Sequence, residues 1–295
     1  MATEVAHQRI VRATAATLTV TLVDQDGEPS DAAGAVTVRV QRADGTDVLA
    51  AGTATTNPAG TGTYSVALTA AQTATLDLFT ATWTVSGINV AVTLHEIVGG
   101  VYFTVAEARA RDASISTSAY TAEAVRQARA EVEQQCEMIT GVAWVPRFRR
   151  AYLQALGSST LVLPDPMVRR IRSISDVDTS TGVLTAWDST WVSPIPAAAN
   201  GEIKAARGFG HGTVVVEYEH GFDRPPADLV TAAIQHLRHQ LNTFVSSSLI
   251  DRATQVQTIE GQNMQLATPG RFGFDTGIPG VDAVYQRYDF KALVA

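Results

Sequence analysis

The sequence predicts an α+β multidomain protein: an N-terminal antiparallel β-sandwich over residues 1–98, then a helical domain over 99–295 with a β insertion and an extended C-terminal arm. Three observations carry this. Residues 14–97 alternate apolar and polar with a period of two, the pattern of strands with one face in a core. Two later stretches repeat apolar residues at steps of three and four, the pattern of packed helices. Beyond Ser246 the chain becomes Ser, Gly, Gln and Thr rich with scattered apolar residues, the composition of an arm.

In order, Leu18, Val20 and Leu22 mark one strand, Val36, Val38 and Val40 the next, then Tyr64, Val66 and Leu68. Phe79, Ala81, Trp83 and Val85 follow, and Ile88, Val90, Val92 and Leu94 complete the set. Asp26-Gly27, Asp44-Gly45, Asn57-Pro58-Ala59-Gly60 and Ser86-Gly87 separate them, each a turn former. This spacing predicts a small sandwich of immunoglobulin-like type, with Gly99-Gly100 as the hinge to the second domain.

Thr104 can cap a short helix over about 104–111. A second helix, about 121–140, has Val125, Ala128, Val132, Cys136 and Ile139 on one face and Gly141 as its stop. Prolines 164, 166, 194 and 196 punctuate a β insertion over about 147–219, expected as short strands. Its last strand alternates Val214, Val216 and Tyr218 with Val215, Glu217 and Glu219, one face toward a core and the other toward water. A well-specified turn follows. Gly221 and Asp223 shape it, Pro225 and Pro226 have φ preset for a first helical turn, and Asp228 suits the positive end of the helix dipole. Val230, Ile234, Leu237, Leu241 and Phe244 then draw one stripe along a helix over about 226–245. The arm covers about 248–278, and a last helix, about 279–289, has Val281, Val284, Tyr285 and Tyr288 as its apolar face. Few neighbours are left to bury that helix, so it is expected to pack on another subunit.

Composition restricts the function. No apolar run approaches the ~20 residues that cross a bilayer, and residues 1–20 lack a basic head before an apolar segment, so a cytoplasmic origin is expected. Cys136 is the single cysteine, which excludes an internal disulfide or a thiolate metal cluster within one chain; its helical spacing suggests a buried apolar role. The net charge of −7 argues against a protein that grips nucleic acid. Most of it lies in residues 1–98, where four Arg face nine acids. Lys204 and Lys291 are the only lysines, so the cationic chemistry is guanidinium chemistry, suited to planar pairing with carboxylates.

Each candidate for chemistry has a plainer reading. Glu217 and Glu219 project from one strand face about 7 Å apart, near the spacing of inverting glycosidases, but without an aromatic sugar platform. The GFGHG run Gly208–Gly212 precedes a strand, whereas a phosphate loop follows one, so a hairpin loop is expected. His236 and His239 lie three apart rather than four and have no third ligand, which favours a polar or subunit-facing helix edge. His220 and Asp223 have no G-x-S-x-G nucleophile to serve. Arg147, Arg149, Arg150, Arg169, Arg170 and Arg172 form the basic concentration, read as an interface pairing with acids of a neighbouring copy or partner. No catalytic residue, cofactor or metal is expected.

VVVEYEHGFDRPPADLVTAAIQHLRHQL (214–241) resembles the head-to-tail connector, or adaptor, proteins of long-tailed bacteriophages. VGGVYFTVAEARARD (98–112), CEMITGVAWVPRFRR (136–150), LVLPDPMVRRIRSI (161–174), DRAT (251–254) and LATPGRFGFDTGIPGVDAVYQRYD (266–289) match in the same order, so the resemblance covers residues 99–295. It implies a helical connector domain and a virion protein that forms a ring, of about twelve copies, beneath the portal. The implied partners are the portal protein, other copies of the chain, and a downstream neck, stopper or tail-completion protein; DNA passes through the lumen without sequence-specific binding. The last helix would dock on the portal, and assembly would take place in the host cytoplasm. Two other functions stay open: a binding module whose sandwich recognises a capsid protein or carbohydrate, and a glycoside hydrolase built on Glu217 and Glu219.

Overall fold

Ser86 and Gly87 both adopt positive φ, 49° and 84°, the conformation of a tight two-residue hairpin turn whose twist matches the strands it joins. Here they connect β6 (Asp77–Val85) to β7 (Ile88–Val98), the longest pairing of the first hundred residues. The computed structural model describes residues 7–188, 190, 192–194, 201–206, 208–245, 255–257, 263–265 and 275–290. The DRAT segment and residues 266–274 therefore lie outside the described residues, as does most of the expected arm. The chain divides into two compact units: Met1–Gly100, Pro146–Pro164 and Val168–Gly221 form unit 1, while Val101–Val145, Asp165–Met167 and Phe222–Ala295 form unit 2.

Unit 1 holds two β layers built separately and joined. In the first, β1 (His7–Val11), β7, β6, β3 (Val36–Gln41) and β4 (Asp47–Ala54) are adjacent in that order, facing the pair β2 (Ala16–Thr21) and β5 (Thr63–Leu68). β1 runs parallel to the end of β7; the other pairings of this sandwich are antiparallel. Leu18, Val20, Val38, Val40, Leu68, Phe79, Ala81 and Trp83 interdigitate between the sheets. The Trp83 indole is fully buried and donates to Thr93 Oγ1 at 3.1 Å, which satisfies its one polar group.

The remainder of unit 1 is a four-stranded sheet, β11 (Leu184–Ala186), β10 (Val168–Val177), β14 (His211–His220) and β8 (Arg147–Leu156). A three-stranded sheet, β12 (Val192–Pro194), β13 (Glu202–Ala205) and β9 (Thr160–Val162), accompanies it. Val214, Val216 and Tyr218 face the shared core with Ile174, Ile203 and Phe209. Gly99 is not a free hinge: its N–H donates to the Pro146 carbonyl at 2.7 Å, and a Cβ on it would meet the Pro146 ring at 2.6 Å. Gly99→Ala is expected to cost about 1–3 kcal/mol through overpacking, measurable as a lower denaturation midpoint.

Unit 2 contains α1 (Val105–Arg111), α2 (Ala122–Thr140), α3 (Ala227–Val245), α4 (Pro279–Arg287) and the small pair β15 (Gln255–Gln257) with β16 (Asn263–Gln265). Thr104 caps α1 through a reciprocal bond with Glu107, Thr121 caps α2, and Gly141 ends α2 in the left-handed region at φ 72°. The core gathers Val125, Ala128, Val132 and Cys136 of α2, Leu229, Ile234, Leu237 and Leu241 of α3, and Val281 and Tyr285 of α4. Trp144 stacks on Phe222 at 4.7 Å and meets the edge of Tyr288 at 5.3 Å. The helix stripes in the sequence therefore close on one another.

The α+β assignment with a helical connector domain is overturned. The chain is mostly sheet, 39% strand against 22% helix, and among the described residues there are only four helices. The expected insertion of short strands contains β8, β10 and β14, each ten residues long. Pro164 and Pro166 precede β10 rather than interrupt it, so the ladder keeps its hydrogen bonds. The last helix also has its neighbours: Val281 and Tyr285 are fully buried among α2 and α3.

Candidate functional site

The arginines singled out in the sequence divide into two sets. Arg150 lies directly across from Glu217, and Ser173 across from Glu217 on the other side, so one cross-strand row runs Arg150, Glu217, Ser173. Arg150 Nη1 donates to Glu217 Oε1 at 3.0 Å and to the Ala43 carbonyl at 2.9 Å; Ser173 donates to Glu217 Oε2 at 2.8 Å. The next row pairs Phe148 with Glu219. A bulge between Ile171 and Ser173 lets Arg172 reach Glu219 Oε1 at 2.8 Å through Nε, the Leu76 carbonyl at 2.7 Å through Nη1, and the Phe148 ring at 4.8 Å. At the end of β8, Arg147 is buried and ion-paired with Glu96, with Arg9 3.7 Å from the same carboxylate.

These contacts make a charged seam that fastens the second sheet to the sandwich within unit 1. The Glu217 and Glu219 carboxylates are held by guanidinium partners and only about a fifth exposed, at 18% and 17%, so the face expected to meet water is covered. Arg149, Arg169 and Arg170 are exposed, with Arg169 donating to the Gly221 carbonyl at 3.4 Å. The Arg150–Glu217 pairing follows from the strand register, which the sequence does not give, and the Ala43, Leu76 and Glu96 partners come from the distant sandwich and left no local signal.

The turn residues sit between β14 and α3. Gly221 is buried with φ 92°, Pro225 is buried, Asp223 is exposed, and the Pro226 carbonyl accepts the first α3 bond from Val230 at 3.0 Å. Asp228 accepts from the Tyr288 hydroxyl at 2.8 Å and from Arg287 at 3.1 Å, tying the end of α4 to the start of α3. Val284 packs partly buried at the same core.

His236 is not on a polar edge. It is 2% exposed, with Nδ1 3.4 Å from the Tyr285 hydroxyl. Burial, reinforced by His239 and opposed by Asp282, pushes its pKa down to about 4. Cys136 is buried as well, and desolvation pushes its thiol up to about 12, leaving it unreactive at neutral pH. Among the described residues no group of three His, Cys, Asp or Glu is placed to hold a metal ion, and no helix is long and apolar enough to cross a membrane. The GFGHG segment lines a cleft of about 450 Å³ with Asp176, Trp187 and Thr213; His211 packs over Gly157, where a Cβ would lie 2.6 Å from its ring.

No family model and no curated protein matches the sequence. Among solved structures, the chain is similar to one described as "Neck of empty GTA particle computed with C6 symmetry", a GTA being a phage-like gene transfer agent. The identity is 19% and the TM-score 0.45, over 63% of this chain and 88% of that one.

Proposed function

We propose that the chain is a structural component of the neck of a tailed phage-like particle, assembling as a ring, of about twelve copies, beneath the portal and continuing the DNA channel toward the tail. The observation that carries this reading is the charged seam: Arg147, Arg150 and Arg172 with Glu96, Glu217 and Glu219 serve as fasteners between two β layers rather than as reactive groups. The ordered segments that resemble connector proteins supply α1, the end of α2 with β8, β10, and β14 with α3, so they coincide with the scaffold of both units. The strand order β1-β7-β6-β3-β4 over β2-β5 supports an immunoglobulin-like first layer.

In this reading the portal and a downstream neck or stopper protein are the partners, and the acidic chain lets DNA slide because like charge repels phosphate. Electron microscopy of the protein mixed with the portal of the same particle should show rings docked at the portal; unattached protein alone would sink the assignment. Arg169→Glu with Arg170→Glu should leave the fold intact, since both side chains are exposed, and reduce docked particles at least tenfold. Undiminished docking would remove both arginines from the interface.

A further inference from the structure

The β11-β10-β14-β8 sheet ends in an open strand on each side. Among the described residues, 151–156 of β8 make no backbone hydrogen bond beyond their ladder with β14, and 184–186 of β11 make none beyond theirs with β10. Each of the three residues of β11 is exposed. Neither 151–156 nor 183–187 contains Asp, Glu, Lys or Arg.

Large apolar side chains are exposed at both edges. Tyr152 and Leu156 of β8 are 60% and 75% exposed, and Val183 and Leu184, at the start of β11, are 59% and 41%. The middle of the sheet differs: Val215 of β14, directly across from Tyr152, is 2% exposed. Apolar exposure is thus confined to the edges, where the backbone also lacks a ladder partner.

The register fixes which face these side chains share. Leu184 lies across from Val177, Val177 from Thr213, and Thr213 from Gln154, so Leu184 stands on the same face as Gln154, and therefore as Tyr152 and Leu156. All three pairings are antiparallel, so directions alternate over four strands and β11 runs opposite to β8. A second copy in the same orientation therefore offers a β11 that is antiparallel to β8 and keeps Leu184 on the shared face.

We propose that β11 of one copy adds to β8 of the next, continuing the sheet from copy to copy with Leu184 against Tyr152 and Leu156. Unpaired strand edges are templates for such addition. The two edges differ, so the contact is head to tail. Pairing β8 with β8 about a two-fold axis would leave Val183 and Leu184 uncovered, whereas the head-to-tail contact uses both edges. Copies that each carry −7 also repel least where both surfaces lack ionised groups. With three residues in β11 each junction is small, and closure strengthens it because every copy is then held at two edges. The inference deepens the neck reading and rests on it only for closure into a ring.

Sedimentation of the full-length protein should show association that grows with concentration. Leu156→Glu and Leu184→Glu each place a charge on one edge, at a side chain already exposed. Each variant alone should lose association and sediment as a monomer where the wild type does not. Their equimolar mixture should give a dimer of one of each, joined through the two intact edges and unable to extend. Association of either variant alone would overturn the proposal, and Leu184→Glu dimers in particular would mean β8 on β8. A mixture that stays monomeric would overturn it as well, and a wild type that never associates would assign the edges to a different partner. Only this chain is present, so a negative result leaves portal docking to be judged separately, and failed docking leaves the sedimentation result intact.

Discussion

Arg147→Met is expected to destabilise unit 1 by about 3–5 kcal/mol, because removing one member of a buried ion pair strands the other charge in a low-dielectric site. Arg147 and Glu96 are the best-buried pair of the seam, with side chains 9% and 10% exposed. The loss should fall at the lower end of that range, since Arg9 Nε remains 3.7 Å from Glu96 and compensates part of its charge. Denaturant unfolding of Arg147→Met, Glu96→Gln and the double variant closes a cycle. Adding Glu96→Gln should restore part of the loss, with a coupling of about 1–3 kcal/mol. Additive effects would show that the two groups do not depend on each other, and the seam would lose its anchor. The same measurement separates two roles for Arg147: a residue needed for contacts between copies, and nothing else, would leave the unfolding midpoint unchanged.

That distinction marks where sequence reasoning reached its limit. The preference of arginine for planar carboxylate pairing was legible from composition, as was the concentration of arginines at 147–150 and 169–172. Which acids they meet was not. Glu96 is 51 residues from Arg147, Leu76 is 96 from Arg172 and Ala43 is 107 from Arg150, and periodicity carries no information at such separations. Short-range features read more easily. The Ser86-Gly87 turn, the Thr104 and Thr121 caps and the Gly141 stop each rest on local backbone chemistry. The balance of sheet over helix was misjudged for the same reason. A stretch with prolines and polar residues looks like short strands until its partners are known, and β14 is covered on both faces because the sandwich supplies the second cover. His236 shows the converse error: its spacing from His239 suggested a helix edge, but α4, brought back across the long arm, buries it against Tyr285.

That burial makes stability depend on pH in a definite direction. The folded-state pKa of His236, about 4, lies below the ordinary histidine value of 6.5, so between these values the unfolded chain binds a proton that the folded one refuses. Stability from this group is complete above pH 6.5, falls as pH drops toward 4, and is fully lost below it, a change of about 3 kcal/mol at the plateau. The groups that set the position are the apolar surroundings, His239 on the same helix, and Asp282 of α4, which works in the opposite sense. His236→Phe keeps a ring of similar size against Tyr285 and removes the titration. Its unfolding free energy should therefore lose the acid slope between pH 6.5 and 4 while the wild type keeps it, whatever the shared carboxylates contribute to both. Asp282 is 2% exposed and accepts from the Thr276 N–H and hydroxyl at 2.9 and 2.8 Å, so its role as a structural clamp on the start of α4 is common to both proteins and cancels in the difference. Parallel pH profiles would mean that His236 is solvated in solution and that α4 is not docked on α3. Divergence opening near pH 6.5 would establish α4 as part of the unit 2 core, in keeping with the burial of Val281 and Tyr285.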